Sequence, residues 1–388
     1  MAAQRAWVVL WLAFVTFCIV LVSTAKFVVD YVTTAEIALT ARVEETRGRA
    51  YFQAPSGPKA LLTPADRDLG VGTAVEADRA GMVVVRIFDG SRVTVQPEAR
   101  VELARMEVGR FISRQTLALR QPVGPVRYET KGEADVQVPK GLVHLRRGDA
   151  TVWVEDQRTR VLVYDGEARL EAEGSGLSVR AGQRGELTGD GKLELKERSE
   201  ELLKNGAFAR RADGWEAIDV QNGPRDVDGE RHFGPGPVVE GRPVPSLRFV
   251  RDSVNLAHGE TGVRQPLDVN VAGYRKLFLE AWVRVDRASL SGGGQLGFEY
   301  PMMLVVLYEG PQEGSRPNWV HGFYTDNPED RPVRNAEQVP AGEWFHYRVD
   351  LLDQEDEARR PYRLLELQVM GQGHSYDAQV ADVRLTGD

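Results

Sequence analysis

The chain has one cysteine in 388 residues, Cys18, and it lies inside an uncharged apolar run. Everything after that run lacks a thiol, which excludes disulfides, cysteine nucleophiles and thiolate metal sites from the bulk of the protein. The six histidines (His144, His232, His258, His321, His346 and His374) form no spaced metal pair, and neither H-E-x-x-H nor G-x-S-x-G occurs. Gly70-Val71-Gly72 has neither the third glycine nor the strand-to-helix setting of a dinucleotide loop. A dense basic stripe is absent and the formal net charge is −8, so nucleic acid is not an expected partner. These absences leave no catalytic residue to name, and the expected function is not enzymatic.

What is present begins with the apolar run, AWVVLWLAFVTFCIVLVSTA over Ala6 to Ala25. At about 1.5 Å per residue it makes a helix roughly 30 Å long, matching the hydrocarbon thickness of a bilayer. Arg5 precedes it, Trp7 and Trp11 suit the inner interface, and the short N-terminal flank is expected on the cytoplasmic side. The competing reading is a cleaved signal peptide, for which Ser23-Thr24-Ala25 offers small residues. The run is longer than a usual signal core, and apolar character resumes at Phe27-Val28-Val29, which favours a retained anchor. Cys18 follows Phe17, where a lipid-attachment signal needs a small residue. Either way, the localisation expected is the cell membrane, with the bulk of the chain extracytoplasmic.

The rest reads as mainly β. The expected organisation is an anchor over 1–26, a helical juxtamembrane stalk over 27–47, a β-domain over 48–190, a charged linker over 191–204 and a second β-domain over 205–388. The 39 glycines suit many tight turns. Met82 to Phe88 and Ser91 to Val95 are strands joined at Asp89-Gly90, a strong hairpin signal because both residues tolerate positive φ. Further strands are expected near 142–145, 150–155, 161–164, 168–172, 177–179 and 185–187. Val108 to Gln121 fits a strand or a short helix. In the second half, Leu277, Leu279, Ala281, Val283 and Val285 alternate with larger or charged residues, and Pro301 to Leu307 is a continuous apolar run suited to a central strand. Strands are also expected over 344–351, 364–370 and 379–385.

Two resemblances follow from these residues. Gly70-Val71-Gly72-Thr73-Ala74, the strands around Asp89-Gly90-Ser91, Pro97-Glu98-Ala99-Arg100-Val101, and then Leu145 to Val152, Val161 to Gly166 and Ala181-Gly182-Gln183 together resemble the FecR domain. That resemblance implies an extracytoplasmic β-sandwich or β-roll. Named members of the family pass signals to a sigma factor through a cytosolic segment, and only about five residues precede the helix here. The second half, with Asn205-Gly206-Ala207-Phe208, Gly214-Trp215 and the closing Ala378 to Leu385, resembles carbohydrate-binding modules of the galactose-binding-like jelly-roll type. It implies a polysaccharide ligand and, near the two termini, a structural calcium for which Asp382 is the candidate ligand; no other cofactor is expected.

The candidate ligand-binding residues are Trp319, His321, Phe323, Tyr324 and Asp326, because aromatic faces stack on sugar rings and a nearby carboxylate bonds hydroxyls. The alternative reading is that Trp319, His321 and Phe323, which share one face of a strand, point into a core. The function expected is a membrane-anchored, non-enzymatic binding or scaffolding protein for envelope polysaccharide. The alternative is a sensory or regulatory subunit acting through a membrane protein partner.

Overall fold

The computed structural model describes residues 2–34, 36–63, 68–109, 115–221, 229–253, 256–312, 314–354, 356 and 359–388. The protein is mainly β, with one N-terminal apolar helix and stacked β-sheets. The helix runs Ala2–Thr34, and its stretch Leu10–Val29 is long and apolar enough to cross a membrane. Trp7, Trp11, Phe14 and Phe17 are all exposed along it, with no protein surface covering them.

The helical stalk is not there beyond Thr34. Glu36–Ala38 and Ala41–Arg47 are strands. Good helix formers are overridden because Ala41 and Val43 alternate with exposed residues and are buried, and Val43 lies opposite Val85 in an antiparallel pair.

From Glu36 to Glu197 the strands form two sheets that share the long strand Gln115–Thr130 and close into a barrel-like assembly. Its first part pairs with Arg100–Gly109, and its last part, from Gly124 onward, pairs with Gly148–Glu155 and Arg92–Val95. The strand bends where Gly124 stands between Val123 and Pro125. Gly124 has φ of 81°, and a Cβ there would come within 2.4 Å of the Ala99 Cα, so only glycine permits the close crossing. Arg100–Gly109 and Gln115–Thr130 thus resolve the ambiguous stretch around Val108 to Gln121 as strand on both sides, residues 110–114 lying outside the described residues.

The hairpin at Asp89-Gly90 forms as expected. Val83 faces Val95, Gly90 has φ of 85°, and the Asp89 carboxylate accepts from the Ser91 amide at 2.8 Å and the Ser91 hydroxyl at 2.7 Å. Valines 83, 85, 93 and 95 are buried in the core of this first body.

The charged segment between the two halves is extended. Leu193–Glu197 pairs with Gln183–Leu187, and Glu200–Glu201 pairs with the last strand, Ser375–Gly387, of the second half. The segment is stitched into both bodies.

The second body is a sandwich of two six-stranded sheets. One runs Glu230–Val239, Arg242–Asp252, Ser375–Gly387, Leu277–Ala288, Phe345–Asp350, with Glu200–Glu201 on the flank of Ser375–Gly387. The other runs Glu216–Gln221, Gly259–Asn270, Arg363–Gly373, Met302–Glu309, Asn318–Tyr324, Ala336–Gln338. Met302–Glu309 is central and buried on both faces, as its continuous apolar run requires. Leu277, Leu279, Ala281, Val283 and Val285 all point into the space between the sheets.

The two bodies share a core. Trp153 and Leu162, from strands of the first body, belong to the hydrophobic cluster of the second. The Thr151 and Tyr164 hydroxyls both donate to the Gly273 carbonyl, at 3.3 and 3.1 Å, and the Asn270 side-chain amide donates to the Pro97 carbonyl at 3.3 Å.

Candidate functional site

Asn318–Tyr324 pairs with Met302–Glu309 along its length on one side, Val306 opposite Trp319 and Leu304 opposite His321. On the other side Ala336–Gln338 pairs with Gly322–Tyr324 alone, so the first four residues stand at the open margin of the sandwich.

Side chains alternate along this strand. Trp319, His321 and Phe323 point between the sheets, where His321 stacks on Tyr347 of the opposite sheet with centroids 4.4 Å apart and lies parallel to Trp319 at 5.9 Å. Phe323 meets His321 edge-on at 5.1 Å and is fully buried. Val320, Gly322 and Tyr324 take the outer face, where Tyr324 lies 6.3 Å from Tyr300.

Trp319, His321 and Tyr347 line a cavity of about 210 Å³ together with Tyr308, Gln354 and Arg359. Asn318 and Asn335 line it as well. Burial drives the His321 imidazole down to about 4, so the ring is neutral at physiological pH, and its Nε2 is buried without a hydrogen-bond partner. Burial, with the Glu337 charge adding to it, holds the Tyr347 phenol protonated. The cavity therefore offers aromatic faces, neutral donors and acceptors, and one guanidinium. Stacking and hydrogen bonding to an uncharged ligand are within its means.

The depressed His321 value has a consequence for stability. The unfolded chain binds a proton at the ordinary value of 6.5, whereas the native ring does not until about 4. Stability is therefore full above pH 6.5 and falls as pH drops from there toward 4. Replacing His321 by Phe is expected to remove this part of the slope, as read from urea midpoints between pH 7 and pH 4. An unchanged slope assigns it to other groups.

The five residues singled out from sequence do not form one site. Trp319 and His321 line the cavity, Phe323 is a core residue, and Tyr324 belongs to the outer face. Asp326 is exposed beyond the end of the strand, where its carbonyl accepts from the Gly292 amide at 2.9 Å; it lines neither cavity of this strand. Phe323 fails as a platform because its inward parity carries it beneath the paired part of the strand. Tyr347, Tyr308, Gln354 and Arg359 carry no local signal, since Tyr347 comes from the facing sheet, Tyr308 from the neighbouring strand, and Gln354 and Arg359 from the segment between Phe345–Asp350 and Arg363–Gly373.

Asp382 does not fit a calcium site. It occupies a bulge between Ala381 and Arg384 with φ of 46°, and its two carboxylate oxygens accept from Arg384 at 3.1 and 2.9 Å. Among the described residues no group of three His, Cys, Asp or Glu is placed to hold a metal ion.

On the outer face of the same sheet lies a second cleft of about 390 Å³. Met303, Val305, Val320 and Met370 form its floor, and Gln368 and Gln372 stand on it. Gly322 is required beneath it, because a Cβ there would come within 1.9 Å of the Tyr300 ring. The Tyr300 hydroxyl in turn lies 3.0 Å from the Gly297 carbonyl and accepts from the Arg334 amide at 2.9 Å, tying two loops to the rim.

No protein-family model matches the sequence, and no curated protein does. Among solved structures the chain is similar to a putative anti-sigma factor from Parabacteroides distasonis, at 12% identity over 32% of this chain, with a TM-score of 0.28. It spans 59% of the length of that protein. It is also similar to a family 11 carbohydrate-binding module from Clostridium thermocellum, solved with a β-1,3-1,4-mixed-linked tetrasaccharide, at 9% identity over 48% of this chain and 94% of the module, TM-score 0.28. A family 30 carbohydrate-binding module matches at 12% identity over 44% of this chain and 88% of its own, TM-score 0.25. Likenesses this distant concern chain path alone, and neither ligand nor activity passes through them.

Proposed function

We propose that this protein is a membrane-anchored, extracytoplasmic, non-enzymatic binding and scaffolding protein whose distal sandwich takes an envelope polysaccharide. The observation that carries the reading is the cavity at the open strand margin, where Trp319, His321 and Tyr347 present rings beside the amides of Asn318, Asn335 and Gln354. Rings stack on the apolar faces of pyranoses, and planar amides bond pairs of hydroxyls. On this reading the helix Ala2–Thr34 is the anchor, and the first strand begins at Glu36, so the first body sits close to the membrane and carries the distal sandwich outward.

Trp319→Ala in the full chain, held in detergent micelles, is expected to weaken retention on polysaccharide affinity gels at least tenfold, about 1.4 kcal/mol. Retention equal to that of the parent chain would overturn the assignment.

The alternative of a sensory subunit draws on the shared core of the two bodies, since a ligand-induced change in the distal one has no slack linker to absorb it. It predicts a specific membrane protein recovered by cross-linking in a ligand-dependent manner.

A further inference from the structure

The edge cavity and the outer-face cleft lie on opposite faces of one sheet, yet both are lined by Asn318, Val320 and Asn335. Successive residues of a strand point to opposite faces. A cavity lined by Trp319, Val320 and His321 together must therefore reach around the margin of the strand. The margin is open there because Ala336–Gln338 stops pairing at Gly322. The Gly322 amide donates outward to the Asn335 carbonyl at 2.9 Å, and main-chain groups two residues apart point the same way, so Val320 presents its N–H and C=O into the gap between the two hollows.

We propose that the two hollows are a single trough that takes one chain-form, uncharged oligosaccharide lying across the Asn318–His321 margin. This rests on the polysaccharide reading above and extends it from a pocket for one ring to a path for a chain. The edge cavity, at about 210 Å³, is smaller than the ~300–1,000 Å³ usual for a ligand pocket, and the cleft of about 390 Å³ supplies the remainder. One sugar stacks on Trp319, beside the His321 and Tyr347 rings, which are themselves packed face to face. The chain then crosses at Asn318 and Asn335, where side-chain amides and the Val320 main chain meet its hydroxyls. It continues over the Met303, Val305 and Met370 floor with Gln368 beside it. Glu260 offsets Arg334 on the cleft rim, and Asp356 lies 3.7 Å from the Arg359 guanidinium of the edge cavity, a balance that suits an uncharged chain. An added peptide strand is the less suitable occupant. The open margin offers outward main-chain groups of Asn318 and Val320 alone, fewer than the ladder of a typical strand of about five residues.

The test is titration calorimetry on the full chain in micelles, with gluco-, xylo- and galacto-oligosaccharides of one, three and six units. One series is expected to bind at one site per chain and to tighten at least tenfold from monosaccharide to hexasaccharide. Trp319→Ala should weaken every length, whereas Gln368→Ala should weaken the hexasaccharide at least threefold and leave the monosaccharide unchanged. Circular dichroism and the urea midpoint of each variant report that it is folded. Two independent sites, or affinity that does not grow with length, would overturn the trough while leaving the polysaccharide reading standing. No saccharide binding at all would overturn both. Binding of an acetylated Thr-Val-Thr-Val-Thr-Val amide that is lost in Trp319→Ala, with no saccharide bound, would assign the margin to a peptide strand instead.

Discussion

Replacing Trp153 by Ala is expected to cost about 3–5 kcal/mol and to split one unfolding transition into two. Trp153 sits on Gly148–Glu155 of the first body, is 2% exposed, and packs into the cluster of the second. Its ring lies 5.1 Å from that of Tyr274, and the Arg160 guanidinium covers it at 4.7 Å. A Cβ at Gly273 would meet the indole at 2.8 Å and Pro125 at 3.0 Å, so the loop that receives the tryptophan is cut to fit it. Truncation removes a large buried area and leaves a cavity between the two sheet systems. The second body then keeps its own core without the strut that couples it to the first. The check is urea unfolding followed in parallel by far-ultraviolet circular dichroism and by tryptophan fluorescence. The parent chain should give coincident curves. In Trp153→Ala the curves should separate, and curves that stay superimposed with a midpoint near the parent's would refute a shared core.

The second large effect is electrostatic. Glu186 has no exposed side-chain surface and meets Arg184 at 2.9 Å, Lys196 at 2.8 Å and Arg158. Arg184 also reaches Glu200 at 2.8 Å, and Glu200 pairs with Arg160 at 2.7 Å and accepts from the Tyr274 hydroxyl at 3.0 Å. The chain of charges thus crosses from the first body to the second. Burial works to raise the Glu186 carboxyl, but hydrogen bonds from Lys196 and Arg158 and the Arg184 charge outweigh it and hold the group below the usual glutamate range. A depressed carboxyl contributes stability that is present above its unfolded value of 4.5 and lost as pH falls through the lower native one.

Glu186→Gln keeps the shape and removes the charge, leaving the buried Arg184 short of one partner. The expected cost at pH 7 is about 3–5 kcal/mol, the range for breaking a buried pair from one side. The acid-dependent loss below pH 4.5 should shrink in the same variant. Glu186→Leu combined with Arg184→Met should recover most of the loss, because replacing both partners by apolar groups is often neutral or better. A Glu186→Gln penalty under 0.5 kcal/mol, roughly the size of a surface substitution, would mean that the cluster is solvated.

Legibility of this fold from sequence follows the range of the signal. The Asp89-Gly90 hairpin, the alternation from Leu277 to Val285 and the doubly buried run after Pro301 are properties of neighbouring residues, and each appears where it was expected. The segment after the anchor is helical to Thr34 as expected but strand from Glu36, because helix propensity is local, whereas the partner of Ala41–Arg47, Met82–Arg86, lies some forty residues away. The charged segment before Asn205 reads as a linker for the same reason: its ladder partners, Gln183–Leu187 and Gly387, are invisible to a short window. In the candidate site, parity along one strand places Trp319, His321 and Phe323 on one face. Parity cannot say that Ala336–Gln338 covers Phe323 and leaves Trp319 at an open margin.

By itself, the sequence determined a chain with one membrane-length helix, a thiol-free β-rich remainder and strands in nearly the right places, because apolar periodicity and turn chemistry act over a few residues. The tertiary structure alone decided that the two bodies share Trp153 and a bridge of buried charge, that Tyr347 faces His321, and that one short edge strand leaves the Asn318–His321 margin unpaired between two hollows. Those facts depend on which distant strands lie side by side, and pairing of that kind is set by the packing of the whole chain.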